Sequence, residues 1–228
     1  MVEPAPPEPR RLTAKGRATR DRILAAAAEL IVARGLSALN MVGLRTAASV
    51  SGSQLAHYFT DKQVLVRALI ERQIQGVLDF HQQPVLGGLD TFDDFERWLD
   101  LTMRDLRRIG FSGTPTYHGL VGQLAKTDDA TRATLADGYR RWISVLEGAI
   151  GRMKTSGLLV DDADPRQLAL VIVGAHQAGG TMASVYQEEW PQADALRFAV
   201  NRLRMFAADP AERAPRPPRR PRTRRRTA

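Results

Sequence analysis

Leu44-Arg45-Thr46-Ala47-Ala48-Ser49-Val50-Ser51-Gly52-Ser53-Gln54-Leu55-Ala56-His57-Tyr58-Phe59 is the stretch that decides the fold. Asn40, a strong N-cap residue, precedes it, and Met41, Leu44 and Ala48 then recur at the spacing of one helix face. Ser51 opens a second helix, and Gln54 three residues on completes a capping-box pattern. Projected at about 100° per residue, Leu55 and Phe59 share one face, with Gly52 beside them. Ser53 and His57 lie opposite, flanked by Gln54 and Ala56. Two short helices, joined by the tight turn Ala48-Ser49-Val50-Ser51, describe a helix-turn-helix whose second helix spans Gly52 to Phe59.

Working outward, Ile23, Ala27, Leu30, Ile31 and Arg34 form one stripe of a bracing helix over Thr19 to Arg34, which Gly35 stops. Thr60 and Gln63 repeat the capping-box spacing before a longer helix, Asp61 to Phe80. Further helices are expected over Phe92–Ile109, about Tyr117–Lys126, Asp128–Thr155, Pro165–Tyr186 and Ala193–Ala207. Gly87-Gly88, the segment Gly110 to Pro115, Gly157 and Pro191 separate them. No period-2 alternation of useful length appears, so the expected fold is all-α with about nine helices. The expected division is an N-terminal arm (1–12) without structure, a DNA-binding head (13–60), a helical body (61–210) and a disordered Arg/Pro-rich tail (211–228).

Charge follows that division. Residues 1–72 hold 11 Lys/Arg against 6 Asp/Glu, residues 73–210 hold 14 against 18, and residues 211–228 hold 8 against 1. A basic head beside a mildly acidic body suits a head that meets a polyanion. The absence of cysteine excludes disulfides, thiolate metal sites and thiol chemistry. His57, His81, His118 and His176 have no metal-ligand spacing, and neither a phosphate-binding glycine loop nor a nucleophile elbow is present. Neither enzyme, metal nor cofactor is expected. The Pro-rich N-terminus does not read as a signal peptide. The longest apolar run, Leu168 to Ala175, is far short of the ~20 residues of a membrane span, so a cytoplasmic protein without membrane contact is expected.

The outward residues of the second short helix have groove-reading chemistry. Gln54 can pair with an adenine edge, Ser53 with several bases, Ala56 with a thymine methyl, and His57 with guanine N7 or a phosphate. Ser51 and Tyr58 on this helix, Lys62 at the next helix N-terminus, and Arg17, Arg20 and Arg45, on or before the supporting helices, suit contacts to the phosphate backbone.

From Thr19 to Leu65 the chain resembles the tetracycline-repressor (TetR) family, through Gly35, Leu44, Ala48-Ser49-Val50-Ser51, Leu55, His57-Tyr58-Phe59 and Lys62. It departs from that family's pattern at the turn glycine (Ser49 here), the helix-two alanine (Arg45), a second glycine (Ser53) and the tyrosine after the helix-three leucine (Ala56). A left-handed Ser49 would cost on the order of 1 kcal/mol, and Ala56 points to an atypical operator. The resemblance implies a repressor that leaves a palindromic double-stranded operator when a small-molecule inducer binds. It implies a homodimer through the last two helices as well. The corresponding stripes are Leu168, Val171, Ile172, Ala175, Ala178, Gly179, Met182 and Val185, then Leu196, Ala199, Val200, Leu203 and Phe206; a buried core helix would look similar. On the same basis Trp98, Met103, Tyr117, His118, Tyr139, Trp142 and Gln177 are candidate ligand contacts, and Asp61–Phe80 is the expected lever between domains. Gly113 to Leu120 resembles a subgroup with a cysteine near the position of Thr114, which leaves reversible binding as the inducer mechanism here. The competing reading is a non-specific nucleic-acid-binding protein driven by the basic tail.

Overall fold

The computed structural model describes residues 12–110, 121–126 and 128–215. These form nine α-helices and three 3-10 turns, with no strand among the described residues beyond an isolated bridge between Leu159 and Ala207. The expected all-α class holds. The chain divides into two compact units, and the division falls at Leu69/Ile70, inside the fourth helix rather than before it.

The first unit contains α1 (Ala14–Arg34), α2 (Met41–Ala47), α3 (Gly52–Tyr58) and the start of α4 (Lys62–His81). Helix α1 begins five residues earlier than its apolar stripe suggested, because the Thr13 side chain accepts from the Gly16 amide and starts the helix there. It ends at Gly35, whose φ of 79° only glycine adopts easily and whose amide closes on the Ile31 carbonyl. Asn40 caps α2 through Gly43. The α4 cap differs from the expected Thr60–Gln63 box: Asp61 Oδ1 takes the Val64 amide at 2.8 Å, and Thr60 donates to Asp61 instead. A carboxylate at a helix N-terminus outcompetes a hydroxyl one residue earlier, because charge-assisted bonds are stronger. The Val64 amide accordingly holds the Asp61 carboxyl below its ordinary pKa. Ile23, Leu24, Ala27, Leu44, Leu55, Phe59 and Leu65 make the small core.

The second unit holds the rest of α4 with α5 (Phe92–Arg108), α6 (Val121–Leu124), α7 (Asp129–Thr155), α8 (Pro165–Tyr186) and α9 (Trp190–Arg204). Thr91 and Asp94 form a capping box on α5, and Gly87 is needed beside it, since a Cβ there would stand 2.7 Å from Asp94 Oδ1. Helix α9 starts ahead of Pro191, which had looked like a break; proline is accommodated in a first turn, where no intrahelical N–H is required. Helix α8 is 22 residues long and apolar enough by length and composition to cross a membrane. Here Leu168, Ala169, Ile172 and Val173 are buried in the core with Trp98, Trp142 and Leu196.

Two features of α8 and α9 correct the expectation for the dimer stripes. Leu196, Ala199, Val200 and Leu203 are buried within the protomer, so that stripe is a core face. Gly179, one of the small residues expected to let a partner approach, instead faces α9 of the same chain, where a Cβ would meet the Gln192 Cα at 2.8 Å. The large apolar side chains left exposed on these helices are Leu170, Val171, Met182, Val185 and Tyr186 on α8 and Trp190 and Phe198 on α9, the last 74% exposed.

The fold also continues past Ala208. Pro210–Arg213 forms a 3-10 turn, Glu212 bonds to the fully buried Arg204, and Arg213 donates to the Ala207 carbonyl. Arg204 shares Glu96 of α5 with Arg197, so a buried network joins α5, α9 and the first residues of the expected tail.

Candidate functional site

Helix α3 is held by its own ends. Ser51 Oγ accepts the Gln54 amide at 3.1 Å, and Gln54 Oε1 accepts the Ser51 amide at 3.0 Å. Leu55 and Phe59 anchor it in the core, which leaves Ser53, Gln54, Ala56 and His57 exposed on the other side. The Gln54 carbonyl is thus already occupied, and its amide NH₂ remains the unengaged donor toward a base edge. The turn ahead of α3 has Ser49 at φ 51°, the left-handed conformation expected if serine replaced a glycine there. The Arg22 guanidinium braces this turn by donating to the Ala48 carbonyl at 3.1 Å, a contact the sequence alone did not single out.

The candidate phosphate contacts are placed variously. Arg45 is exposed at the end of α2, next to Gly52. Arg17 is exposed and donates to the Leu12 carbonyl at 2.7 Å. Arg20 lies over the Phe59 ring, 5.6 Å from its centre, and Lys62 donates to the Leu36 carbonyl at 3.3 Å, so both have a task inside the unit. Tyr58 is half-buried, edge-on to His57, with its hydroxyl close enough to Gly16 that a Cβ there would be 3.5 Å away. Ser51 is the α3 cap, exposed and within 3.0 Å of the Ser53 hydroxyl.

The second unit has a cavity of about 480 Å³ that opens to the surface, and its lining includes Val77, Phe80, Thr102, Trp142, His176 and Gln192. Of the candidate ligand residues that are described, only Trp142 lines it. Trp98 and Met103 are core side chains, and Tyr117 and His118 lie outside the described residues. Gln177 donates to the Tyr139 hydroxyl, away from the lining; burial pushes the Tyr139 pKa up, partly offset by that bond.

What the sequence did not disclose is the arrangement around His81. Trp98 Nε1 donates to His81 Nε2 at 3.2 Å, and Trp142 Nε1 donates to the same nitrogen at 3.3 Å. His81 Nδ1 lies 2.7 Å from the Val77 carbonyl, which can only accept. The ring is therefore the neutral tautomer with its proton on Nδ1. Burial lowers its pKa, against the opposing pull of the Val77 carbonyl. His81, Trp98 and Trp142 stand 61 positions apart at the extremes, so no local spacing signals them. Among the described residues no group of three or more His, Asp or Glu side chains is placed to hold a metal.

An anchored, capped helix with an exposed polar face is the arrangement of a helix-turn-helix DNA-binding unit. Residues 23–69 match the family model for bacterial regulatory proteins of the tetR family. Over these residues the chain is similar to that family. The fold extends over most of the chain in solved structures. The regulatory protein TetR from Rhodobacter sphaeroides is 21% identical, with 80% of this chain and 97% of that one covered and a TM-score of 0.70. A putative TetR-family regulator from Rhodococcus sp. is 21% identical over 83% and 98%, with a TM-score of 0.69. The reduced form of E. coli NemR is 21% identical over 85% and 99%, with a TM-score of 0.63. No curated protein sequence matches the chain.

Proposed function

We propose that the protein is a homodimeric, non-enzymatic repressor that acts in the cytoplasm and leaves a palindromic operator when a small molecule occupies the second unit. The observation that carries this reading is the exposed face of α3. Ser53, Gln54, Ala56 and His57 project from a helix whose other face is locked by Leu55 and Phe59, which is the geometry a major groove requires. Arg45 and Arg17 supply the sequence-independent phosphate contacts that set position. Dimerisation uses the outer faces of α8 and α9, where Val171, Met182, Val185 and Phe198 leave apolar area uncovered in one protomer. Two recognition helices about 34 Å apart then read two half-sites.

Release works as a population shift. Gln73, Val77 and Phe80 belong to α4 and line the cavity, and α4 also carries Lys62 through Leu69 of the DNA-binding unit. A ligand that favours one setting of α4 therefore biases the spacing of the recognition helices. A ligand that binds tightly yet leaves operator affinity unchanged would defeat this part of the reading.

The test is footprinting on bound genomic duplexes, using the wild-type chain and a Val185→Glu/Phe198→Glu variant. The expected result is protection of two half-sites about a dyad by the wild type, and loss of that protection in a variant that sediments as a monomer. Asymmetric protection, or full protection by a monomer, would contradict the proposal.

A further inference from the structure

We infer that the ligand of the second-unit cavity is an uncharged, flat aromatic molecule bearing a hydroxyl or carbonyl group, and that Thr102 and Gln192 select it. The inference deepens the ligand-responsive part of the regulator reading and rests on it. Three observations lead there.

The first concerns the buried polar groups. Thr102 on α5 and Gln192 on α9 are 5% and 2% exposed, and both line the cavity. No side-chain hydrogen bond engages either one among the described residues, and the Thr102 hydroxyl is fully shielded without a partner. A shielded hydroxyl without a partner is unfavourable, so a ligand that meets it after a χ1 rotation of the Thr102 side chain toward the cavity gains by it. Hydroxyl and carboxamide groups each donate and accept, which matches a neutral polar substituent.

The second concerns charge. The acidic and basic side chains of the lining are Asp79, Asp105 and Arg108, of which Asp79 and Arg108 are exposed and Asp105 half-buried. They are already engaged, Arg108 with Asp105 at 2.7 Å and Asp79 with the Gln75 amide at 2.7 Å. His81 is held neutral, because its Nε2 receives both indole N–H groups. Among the described lining residues a carboxylate or ammonium would find no buried Lys, Arg, Asp or Glu to compensate it, and burial of an unpaired charge is strongly opposed.

The third concerns shape. Phe80, Trp142 and His176 give the cavity aromatic walls, with the His176 ring edge-on to Trp142 at 5.0 Å between centres. Ring stacking and edge contacts favour a flat aromatic body over a flexible chain. A volume of about 480 Å³ lies in the range of small-molecule sites.

The experiment uses four probes that share one ring and one exocyclic carbon: 2-naphthalenemethanol, 2-methylnaphthalene, 2-naphthoate and 2-naphthylmethylammonium. Binding to the full-length dimer, without DNA, is read by tryptophan fluorescence and calorimetry. The alcohol is expected to bind at least about ten-fold tighter than either ion. Thr102→Val, nearly the same shape without the hydroxyl, is expected to weaken the alcohol about five-fold while 2-methylnaphthalene is unaffected. Thr102→Ser is expected to keep the preference for the alcohol. Either ion binding as tightly as the alcohol would overturn the inference, as would equal losses of alcohol and hydrocarbon in Thr102→Val or no binding by any probe. Operator binding by the same preparation, measured separately without probe, reports whether the regulator reading itself stands.

Discussion

Gln54 holds two positions at once, as the reciprocal half of the α3 capping box and as a flanking residue of the exposed face. Glutamate at this position separates the two. In Gln54→Glu a carboxylate oxygen replaces Oε1 and still accepts the Ser51 amide, now as a charge-assisted bond beside the positive end of α3. Stability should be unchanged or higher by about 0.3–1 kcal/mol. The same substitution removes the amide NH₂ and puts a negative charge against DNA. One base contact of this kind discriminates by about 1–3 kcal/mol, so operator affinity should fall roughly 5- to 150-fold. Gln54→Ala, by contrast, loses the cap as well, at about 1 kcal/mol of stability. Urea unfolding and fluorescence anisotropy on a labelled operator measure the two effects independently. A Gln54→Glu protein with wild-type affinity would refute the base-contact role, and one as unstable as Gln54→Ala would refute the capping argument.

Four further outcomes follow from the same structure. Ser49→Gly should stabilise the first unit by up to about 1 kcal/mol, because φ of 51° strains serine and not glycine; a loss in urea unfolding would contradict it. Truncation after Pro215 should leave the melting temperature unchanged, whereas truncation after Pro210 removes Glu212 from buried Arg204 and should cost about 1–3 kcal/mol in thermal unfolding. Gly179→Ala should destabilise by about 1–3 kcal/mol in the same assay, because its Cβ would press on the α9 backbone. His81 is depressed by burial in the folded state, so below its ordinary value of 6.5 the unfolded chain takes up the proton first. Stability should therefore hold above about pH 6.5 and fall as pH drops toward the lowered folded value, by at most about 1.4 kcal/mol per pH unit from this group. His81→Gln should flatten that part of the stability profile, and an unchanged slope would exclude His81 as its source.

The helix-turn-helix was legible in the sequence because its determinants are local. Caps at Asn40 and Ser51, the Leu55–Phe59 spacing and the turn at Ser49 all act within four residues of their partners. The Thr60 and Asp61 caps differed by one residue because both side chains suit the role and only the geometry of the Val64 amide decides between them. The cavity was not legible for the opposite reason. Gln73, Thr102, Trp142, His176 and Gln192 come from five helices, and nothing in the spacing of any one helix marks them. Helix α9 misled in a specific way: its periodic stripe is the inward face, while its exposed apolar side chains, Trp190 and Phe198, stand outside that period. Periodicity finds a buried face but does not say whether the same chain or a second copy covers it.

The central claim is that α3 reads sequence. The most direct measurement is selection from a random duplex library at near-physiological salt, with a chain truncated after Pro215 so that the arginine-rich residues beyond it play no part. Recovery of a palindrome with half-sites one helical turn or a multiple of it apart is the expected result. Recovery of no preferred sequence by the truncated chain, while the full-length chain binds DNA with an affinity that disappears as salt rises, would contradict it.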